Sequence, residues 1–304
     1  MQRETEWVDE LESRLSPQAV IRCNEPLAKR TTLRIGGPAD FYLEPACESD
    51  LSVILKFCAE KALSFFVLGR GSNLLVKDRG FRGAAISLAH QIFSQIEINS
   101  QRVRCGAGAK LRTVSVEAKR HELTGLEFLE GIPGTIGGAL RMNAGAMGSA
   151  IFDLVETVRL IDFRGNVLER TRKELDVRYR YCATLQAHIA IGAVLHCQPA
   201  PRELIEKRMK EFSQKRWSSQ PAAPSAGCIF KNPASIPAGK LVDELGLKGT
   251  RVGGAFVSTE HGNFIVNDGT ATARDILELI EIIRERARKE RGIEMETEVE
   301  IIGE

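Results

Sequence analysis

Seven glycines fall within 24 residues, at positions 125, 131, 134, 137, 138, 145 and 148. Glycine loses more backbone freedom on folding than any other residue, so this density rules out a long helix or a continuous strand. Residues 125–148 are therefore read as loop, and regular structure is sought on either side. Before it, Leu111 to Leu123 has helical spacing that runs out at Gly125. After it, Val158-Arg159-Leu160 is expected to pair with Val167-Leu168 across an Arg164-Gly165-Asn166 turn, and Ile189 to Leu195 reads as a longer apolar strand. Nearer the N-terminus, Trp7, Val8, Leu11 and Leu15 share a helical face. Ser49 is read as the cap of a second helix with Leu51, Ile54, Leu55, Cys58 and Ala62 inward. Phe65 to Leu68 is a buried-strand run stopping at Gly69, and Ala84 to Leu88 is another.

The C-terminal third is as clearly patterned. Nine of the fifteen residues from Arg202 to Arg216 are charged, with Leu204, Ile205, Met209 and Phe212 as the apolar stripe of a connecting helix. The Pro-, Ser- and Ala-rich segment Ser218 to Ala226 follows it as a boundary. Thr272 with Asp275 three residues on resembles a capping box, and Ile276, Leu279, Ile280, Ile283 and Ala287 line a helix ending at Gly292. Ile293, Met295, Thr297, Val299 and Ile301 then alternate, placing Glu294, Glu296, Glu298 and Glu300 on the opposite face of a strand. Helices and short strands in this order predict an α+β protein of two or three domains in 304 residues.

Composition narrows the function classes. Lys and Arg number 42 against 40 Asp and Glu, a net charge of +2, which provides no basic field for nucleic acid. The seven cysteines, at 23, 47, 58, 105, 182, 197 and 228, are odd in number and include no CxxC or CxC pair. They read as reduced thiols of a cytoplasmic protein, with no metal site expected. Charges run through the first twenty residues, unlike a secretory signal. The longest uncharged stretch, Tyr181 to Pro201, contains Gln186, His188, His196, Gln198 and two prolines, so no membrane insertion is expected.

Two glycine-rich segments carry candidate chemistry: Gly69-Arg70-Gly71-Ser72-Asn73, directly after a strand, and Gly131-Ile132-Pro133-Gly134-Thr135-Ile136-Gly137-Gly138. Glycine lets backbone N–H groups approach phosphate oxygens, and two such loops suit a dinucleotide pyrophosphate. No Gly-Lys-Ser/Thr ends either, and neither has GxGxxG spacing, so P-loop and nicotinamide-type fingerprints are excluded. Two tight turns are the alternative for either loop taken alone. Cys228, in Ser225-Ala226-Gly227-Cys228-Ile229-Phe230-Lys231-Asn232-Pro233, reads by itself as a small buried hydrophobe, and His261 as an incidental loop residue.

Taken in order, these segments resemble the UDP-N-acetylenolpyruvoylglucosamine reductase family, over nearly the whole chain. The likeness begins at Asn24-Glu25-Pro26-Leu27 through Thr31-Thr32-Leu33-Arg34-Ile35-Gly36-Gly37, and continues through Gly69–Asn73 and Gly131–Gly148. It ends with Ala238-Gly239-Lys240-Leu241, Gly246-Leu247-Lys248-Gly249, Ile265-Val266-Asn267 and Glu296-Thr297-Glu298-Val299. The resemblance implies a two-subdomain FAD-binding module of the p-cresol methylhydroxylase or vanillyl-alcohol oxidase type plus a C-terminal α+β substrate-binding domain. The expected division is 1–88, 89–201 and 202–304, with 293–304 returning to the first. The passage from Arg202 to Cys228 is short, like the family's compact subtype, which lacks an inserted loop carrying a substrate-binding tyrosine.

The implied reaction is NADPH-driven reduction of an enolpyruvyl sugar nucleotide in peptidoglycan precursor synthesis, by a monomer holding FAD non-covalently. By the same resemblance, FAD is held by Gly69, Arg70, Gly71, Ser72, Asn73, Leu74, Gly131, Pro133, Gly134, Thr135, Gly137, Gly138, Asn143 and Gly145. Substrate is held by Tyr179, Arg216, Lys231, Asn232 and His261. Catalysis falls to Arg180 as the fixed cation, Glu298 as the hydrogen-bonding acid and Cys228 as the proton donor. Here the chain departs from the family twice. Cys228 stands where most members carry Ser, and Tyr181-Cys182 stands where Asp-Ser often follows the arginine.

Overall fold

The computed structural model describes residues 2–304 and, from residue 5 onward, their side chains. These residues divide into two compact units, each with its own core. The first comprises residues up to Cys23, Phe41–Gly69 and Gly83–Gln214; the second comprises Asn24–Asp40, Arg70–Arg82 and Lys215–Glu304. The units are thus interleaved in sequence. Residues 83–88 cluster with 89–214, and 24–40 and 70–82 cluster with the C-terminal segment.

In the first unit α1 (Gln2–Arg14) lays Trp7 against Phe41 and Phe57, with ring centroids 6.0 Å apart in each pair. Helix α2 (Glu48–Glu60) starts after Cys47 with no side-chain cap, so Ser49 lies inside it rather than capping it. The buried Asp50 carboxylate takes over the local organisation, accepting from Ala46 N (3.0 Å), Ser16 N (3.0 Å) and the Ser16 hydroxyl (2.6 Å). Ala62, expected inward, is exposed beyond the helix end with φ 50°. A four-stranded sheet runs in the order Val20–Pro26, Pro38–Glu44, Phe81–Ser87, Phe65–Leu68. Phe65–Leu68 is an edge strand, which is why Val67 is 41% exposed despite the apolar run.

A five-stranded antiparallel sheet forms the rest of this unit, ordered Val167–Thr171, Val155–Asp162, His188–His196, Arg102–Gly106, Ile96–Asn99. The 164–166 turn is in the expected register, pairing Leu160 with Leu168 and Ile161 with Val167. Helix α3 (Leu111–Arg120) buries Leu111, Val114 and Ala118, and α4 (Ile136–Arg141) is a single short helix inside the glycine-rich segment. In α5 (Arg202–Trp217) only Ile205 and Met209 of the expected stripe are buried; Leu204 is 41% exposed.

The second unit packs α6 (Ala238–Glu244) and α7 (Ala273–Arg291) with the antiparallel strands Arg251–Val252, Ala255–Val257 and Ile265–Asn267. Helix α7 has its capping box at Thr272 and Asp275, a left-handed Gly292 (φ 63°) at its end, and the five expected apolar residues buried. Asp78 adds a second N-terminal cap, accepting from Ala273 N and Arg274 N. The chain end is regular strand over Glu300–Ile302 only, parallel to Leu74–Val76. Residues 293–299 alternate in burial, with Met295 and Val299 inward, but their backbone pairs irregularly with 229–231 rather than continuing a strand.

Candidate functional site

In the first unit the strand ending at Leu68 delivers Gly69 to Thr135. A Cβ on Gly69 would lie 2.9 Å from Thr135 Oγ1, so the strand-end glycine and the second glycine loop meet. Thr135 caps α4, its hydroxyl accepting from Gly138 N at 3.5 Å. Ile136 N and Gly137 N donate to the carbonyls of Ala109 (3.0 Å) and Ala107 (2.8 Å), while Gly134 O accepts from Leu111 N. A Cβ on Gly137 would sit 3.1 Å from that of Ala107. Gly137 therefore serves the close approach of α4 to 107–109. Pro133 and Gly138 are exposed, and Gly131 and Gly134 are half-buried.

Asn143 follows α4 in the left-handed region (φ 40°) and donates Nδ2 to Arg178 O at 3.1 Å. Its Oδ1 is buried and has no hydrogen-bond partner among the described residues. Gly145 pairs with Ala150 just beyond. Arg178 belongs to a tight hairpin, Val177–Arg178 against Tyr181–Cys182, whose two-residue loop is Tyr179-Arg180. Arg180 sits there at φ 55°, a conformation that a non-glycine residue adopts at a cost of about 1–2 kcal/mol. Its guanidinium lies 5.0 Å from the Tyr179 ring centroid. Tyr181 is exposed and Cys182 is buried, so the two residues after Arg180 point to opposite sides.

The remaining part of the first glycine segment lies in the second unit. Gly71 has φ 59°, and a Cβ there would lie 2.6 Å from Arg30 O, so it lets the loop pass the 30–31 backbone. Thr32 N and Oγ1 both reach Gly71 O, and Thr32 Oγ1 also donates to Ser225 O at 2.7 Å. Arg70 is exposed, Ser72 is half-buried, and Leu74 is buried in the strand that pairs with Glu300. Asn73 donates Nδ2 to Glu298 O (3.0 Å), and its own carbonyl accepts from Glu300 N (3.0 Å).

This unit brings Cys228 and Glu298 together through one peptide: Ile229 O accepts from Glu298 N at 2.8 Å and from Val299 N at 3.3 Å. Both residues are half-buried, unlike the exposed Glu294, which pairs with Arg288, and the exposed Glu300. Lys231 donates its N–H to Glu296 O and pairs its ammonium with the Glu296 carboxylate. Asn232 Oδ1 accepts from Ala238 N at 3.0 Å, at the start of α6. Arg216 lies in the last turn of α5.

His261 packs against Gly239 and the Phe264 ring, 4.8 Å between centroids, and its Nδ1 accepts from Asn263 N at 3.1 Å. Burial, and secondarily the positive charge of Lys248, hold its pKa below the usual value of 6.5. That pairing puts the ring proton on Nε2, so near neutral pH His261 is an uncharged donor rather than a cation. Between its folded pKa and the unfolded value of 6.5 the unfolded chain binds a proton that the folded chain does not, so stability rises with pH across that interval. Urea unfolding at about pH 5 and about pH 7 should show a larger gain for wild type than for His261→Gln. Equal gains would remove this residue from the pH dependence.

None of the seven cysteines is in a disulfide. Burial pushes the Cys58, Cys105 and Cys197 thiols up to about 12, keeping them protonated and inert. Among the described residues no cluster of three or more His, Cys, Asp or Glu could hold a metal ion, and no helix is long and apolar enough to cross a membrane. Sequence reasoning missed the backbone-holding roles of Thr32, Asn263 and Asn267, the last donating Nδ2 to Leu33 O at 3.0 Å. The signal available for the two asparagines was a polar residue at each end of the apolar run Phe264-Ile265-Val266; both are 3% exposed.

A flavin dinucleotide fits what the first unit presents. The buried, unpartnered Asn143 Oδ1 would accept a ligand N–H, and Gly69 leaves open the space beside Thr135 that a side chain would fill. Comparison with known proteins agrees. Residues 39–171 match an FAD binding domain, and residues 220–302 match the C-terminal domain of UDP-N-acetylenolpyruvoylglucosamine reductase. The fold, at a TM-score of 0.50 and 12% identity, is shared with Phl p 4, a grass pollen allergen with glucose dehydrogenase activity, over 64% of this chain and 44% of that one. The chain is therefore an FAD-dependent oxidoreductase with the p-cresol methylhydroxylase or vanillyl-alcohol oxidase type of fold, followed by a further α+β domain.

Closer relatives define it further. A UDP-N-acetylenolpyruvoylglucosamine reductase of Syntrophomonas wolfei is 40% identical, over 95% of this chain and 97% of its own. The crystal structure of the Thermus caldophilus enzyme superposes with a TM-score of 0.81 at 37% identity, covering 94% and 99% of the two chains. The chain belongs to the UDP-N-acetylenolpyruvoylglucosamine reductase family.

Proposed function

We propose that this protein reduces UDP-N-acetylenolpyruvoylglucosamine to UDP-N-acetylmuramate, a peptidoglycan precursor, with NADPH as reductant. The observation that carries the reading is that the backbones of Cys228 and Glu298 are drawn together in the second unit, the Ile229 carbonyl next to Cys228 accepting from Glu298 N at 2.8 Å. FAD, when bound, would supply the hydride chemistry that links NADPH to the enol ether of the substrate. Arg180 meets the negative charge that then develops toward the substrate carboxylate, and Glu298 adds a hydrogen bond there. Cys228 gives a proton to the neighbouring carbon, which bears the ether oxygen. The S–H bond breaks, a C–H bond forms, and the thiolate recovers its proton from solvent. A thiol, with a reference pKa of ~8.5, gives up a proton at lower thermodynamic cost than the serine alcohol it replaces.

Lys231 and Arg216 supply cations for the diphosphate, with Asn232 and the neutral His261 as hydrogen-bonding partners and Tyr179 beside Arg180. The loops at 69–74 and 131–145 hold FAD, with residues 1–88 and 89–201 as its subdomains and 202–304 binding substrate. A reducing compartment, the cytoplasm, suits seven thiols. Turnover of NADPH dependent on the enolpyruvyl substrate, with UDP-N-acetylmuramate identified by mass, supports the assignment. Flavin binding without turnover would mean a lapsed enzyme, and oxygen consumption without NADPH would mean an oxidase.

A further inference from the structure

The loop carrying Cys228 has no regular secondary structure, yet one buried side chain brackets it. Asn263 is 3% exposed, and its amide closes both polar groups of Phe230: Oδ1 accepts from Phe230 N at 2.9 Å and Nδ2 donates to Phe230 O at 2.8 Å. The Asn263 carbonyl also accepts from Ile229 N at 2.9 Å. A primary amide carries one donor and one acceptor side by side, as a strand partner's backbone would. Aspartate keeps only the acceptor. On its other side the same two residues meet the C-terminal segment, where Ile229 O receives Glu298 N and Phe230 bridges Thr297. Asn73 then holds Glu298 O and Glu300 N. Cys228 is one peptide from the bracket, and Glu298 is one hydrogen bond from it.

We propose that Asn263 is a positioning residue for the reaction: by fixing the Ile229 and Phe230 backbone from one side, it sets the placement of the Cys228 thiol relative to Glu298. The inference rests on the reading of Cys228 as proton donor. A displacement of the order of 1 Å at a reacting group lowers rates by as much as ~10²-fold. Asn263→Asp keeps the shape and the bond from Phe230 N but loses donation to Phe230 O.

In the flavin-loaded protein pre-reduced with NADPH, Asn263→Asp should slow reoxidation by the enolpyruvyl substrate by about 10-fold to 10²-fold. Placed on Cys228→Ala, it should add less than about 2-fold, because a residue acting through the thiol has nothing left to position. Deuterium exchange of the Gly227–Lys231 amides should also quicken about 10-fold or more as the bracket opens. Asn263→Ser, smaller and uncharged, carries the same comparison if a buried carboxylate unfolds the protein. Reoxidation within about 2-fold of wild type, or the same slowing with and without Cys228, overturns the inference. If Cys228→Ala itself reoxidises at the wild-type rate, the donor reading fails instead, and the single-variant slowing by Asn263→Asp is then attributed to structure alone.

Discussion

Cys228→Ala is expected to slow the reaction of reduced flavin with the enolpyruvyl substrate by ~10²-fold or more, the usual scale for loss of a general acid. Flavin reduction by NADPH should continue, since the proposed mechanism brings in the thiol only at the protonation of substrate. Cys228→Ser should keep substantial turnover, because a hydroxyl at the same half-buried position also carries a proton to give. The fold supports this exchange. Cys228 follows Gly227, which has φ 74°, and precedes buried Ile229 and Phe230, whose backbone is pinned on two sides. Swapping sulfur for oxygen at a half-buried position leaves those pins in place. Stopped-flow absorbance of the flavin band, read separately for the two half-reactions, makes the comparison. Equal reoxidation rates for Ala and wild type would remove the thiol from the mechanism.

The second large effect concerns Arg180, and its two readouts should separate. Arg180→Gly deletes the cation proposed to meet developing charge, with an expected loss of ~10²–10³-fold in kcat, the scale of removing one preorganised donor. The same change relaxes a left-handed residue, worth about 1–2 kcal/mol, while losing the contact with the Tyr179 ring and the side chain's other interactions. Unfolding free energy should therefore change by much less than the roughly 3–4 kcal/mol that a 10²–10³-fold loss of rate represents. A variant that loses activity only in proportion to lost folding would contradict the assignment. Strain held at this hairpin loop is consistent with a function that needs a charged side chain where the backbone prefers glycine.

Much of the fold was legible locally. The Thr272 box, the Gly292 stop and the 164–166 hairpin depend on near neighbours, and all three stand in the structure. What long-range contacts decide was not. Asp50, reached by Ser16 from 34 residues away, displaced Ser49 from its expected capping role. An edge position exposed Val67, and pairing with 229–231 broke the expected C-terminal strand after its alternation had been read correctly. Interleaving of the two units has no local signature either.

The candidate site divides the same way. The glycine loops and the 225–233 turn stood out as segments, but the reasons for individual residues did not. Gly71 and Gly137 answer to backbone neighbours at Arg30 and Ala107. His261, read as a loop residue or a diphosphate ligand, is neutral and supports Asn263. Asn263 and Asn73 act by holding peptides distant in sequence, which no spacing rule exposes.

The most direct test of the account is an anaerobic two-step experiment on the flavin-loaded wild-type protein. NADPH should bleach the visible flavin band, and UDP-N-acetylenolpyruvoylglucosamine should then restore it with one equivalent of UDP-N-acetylmuramate formed per flavin. A band that bleaches and never returns on adding substrate would contradict the reductase assignment.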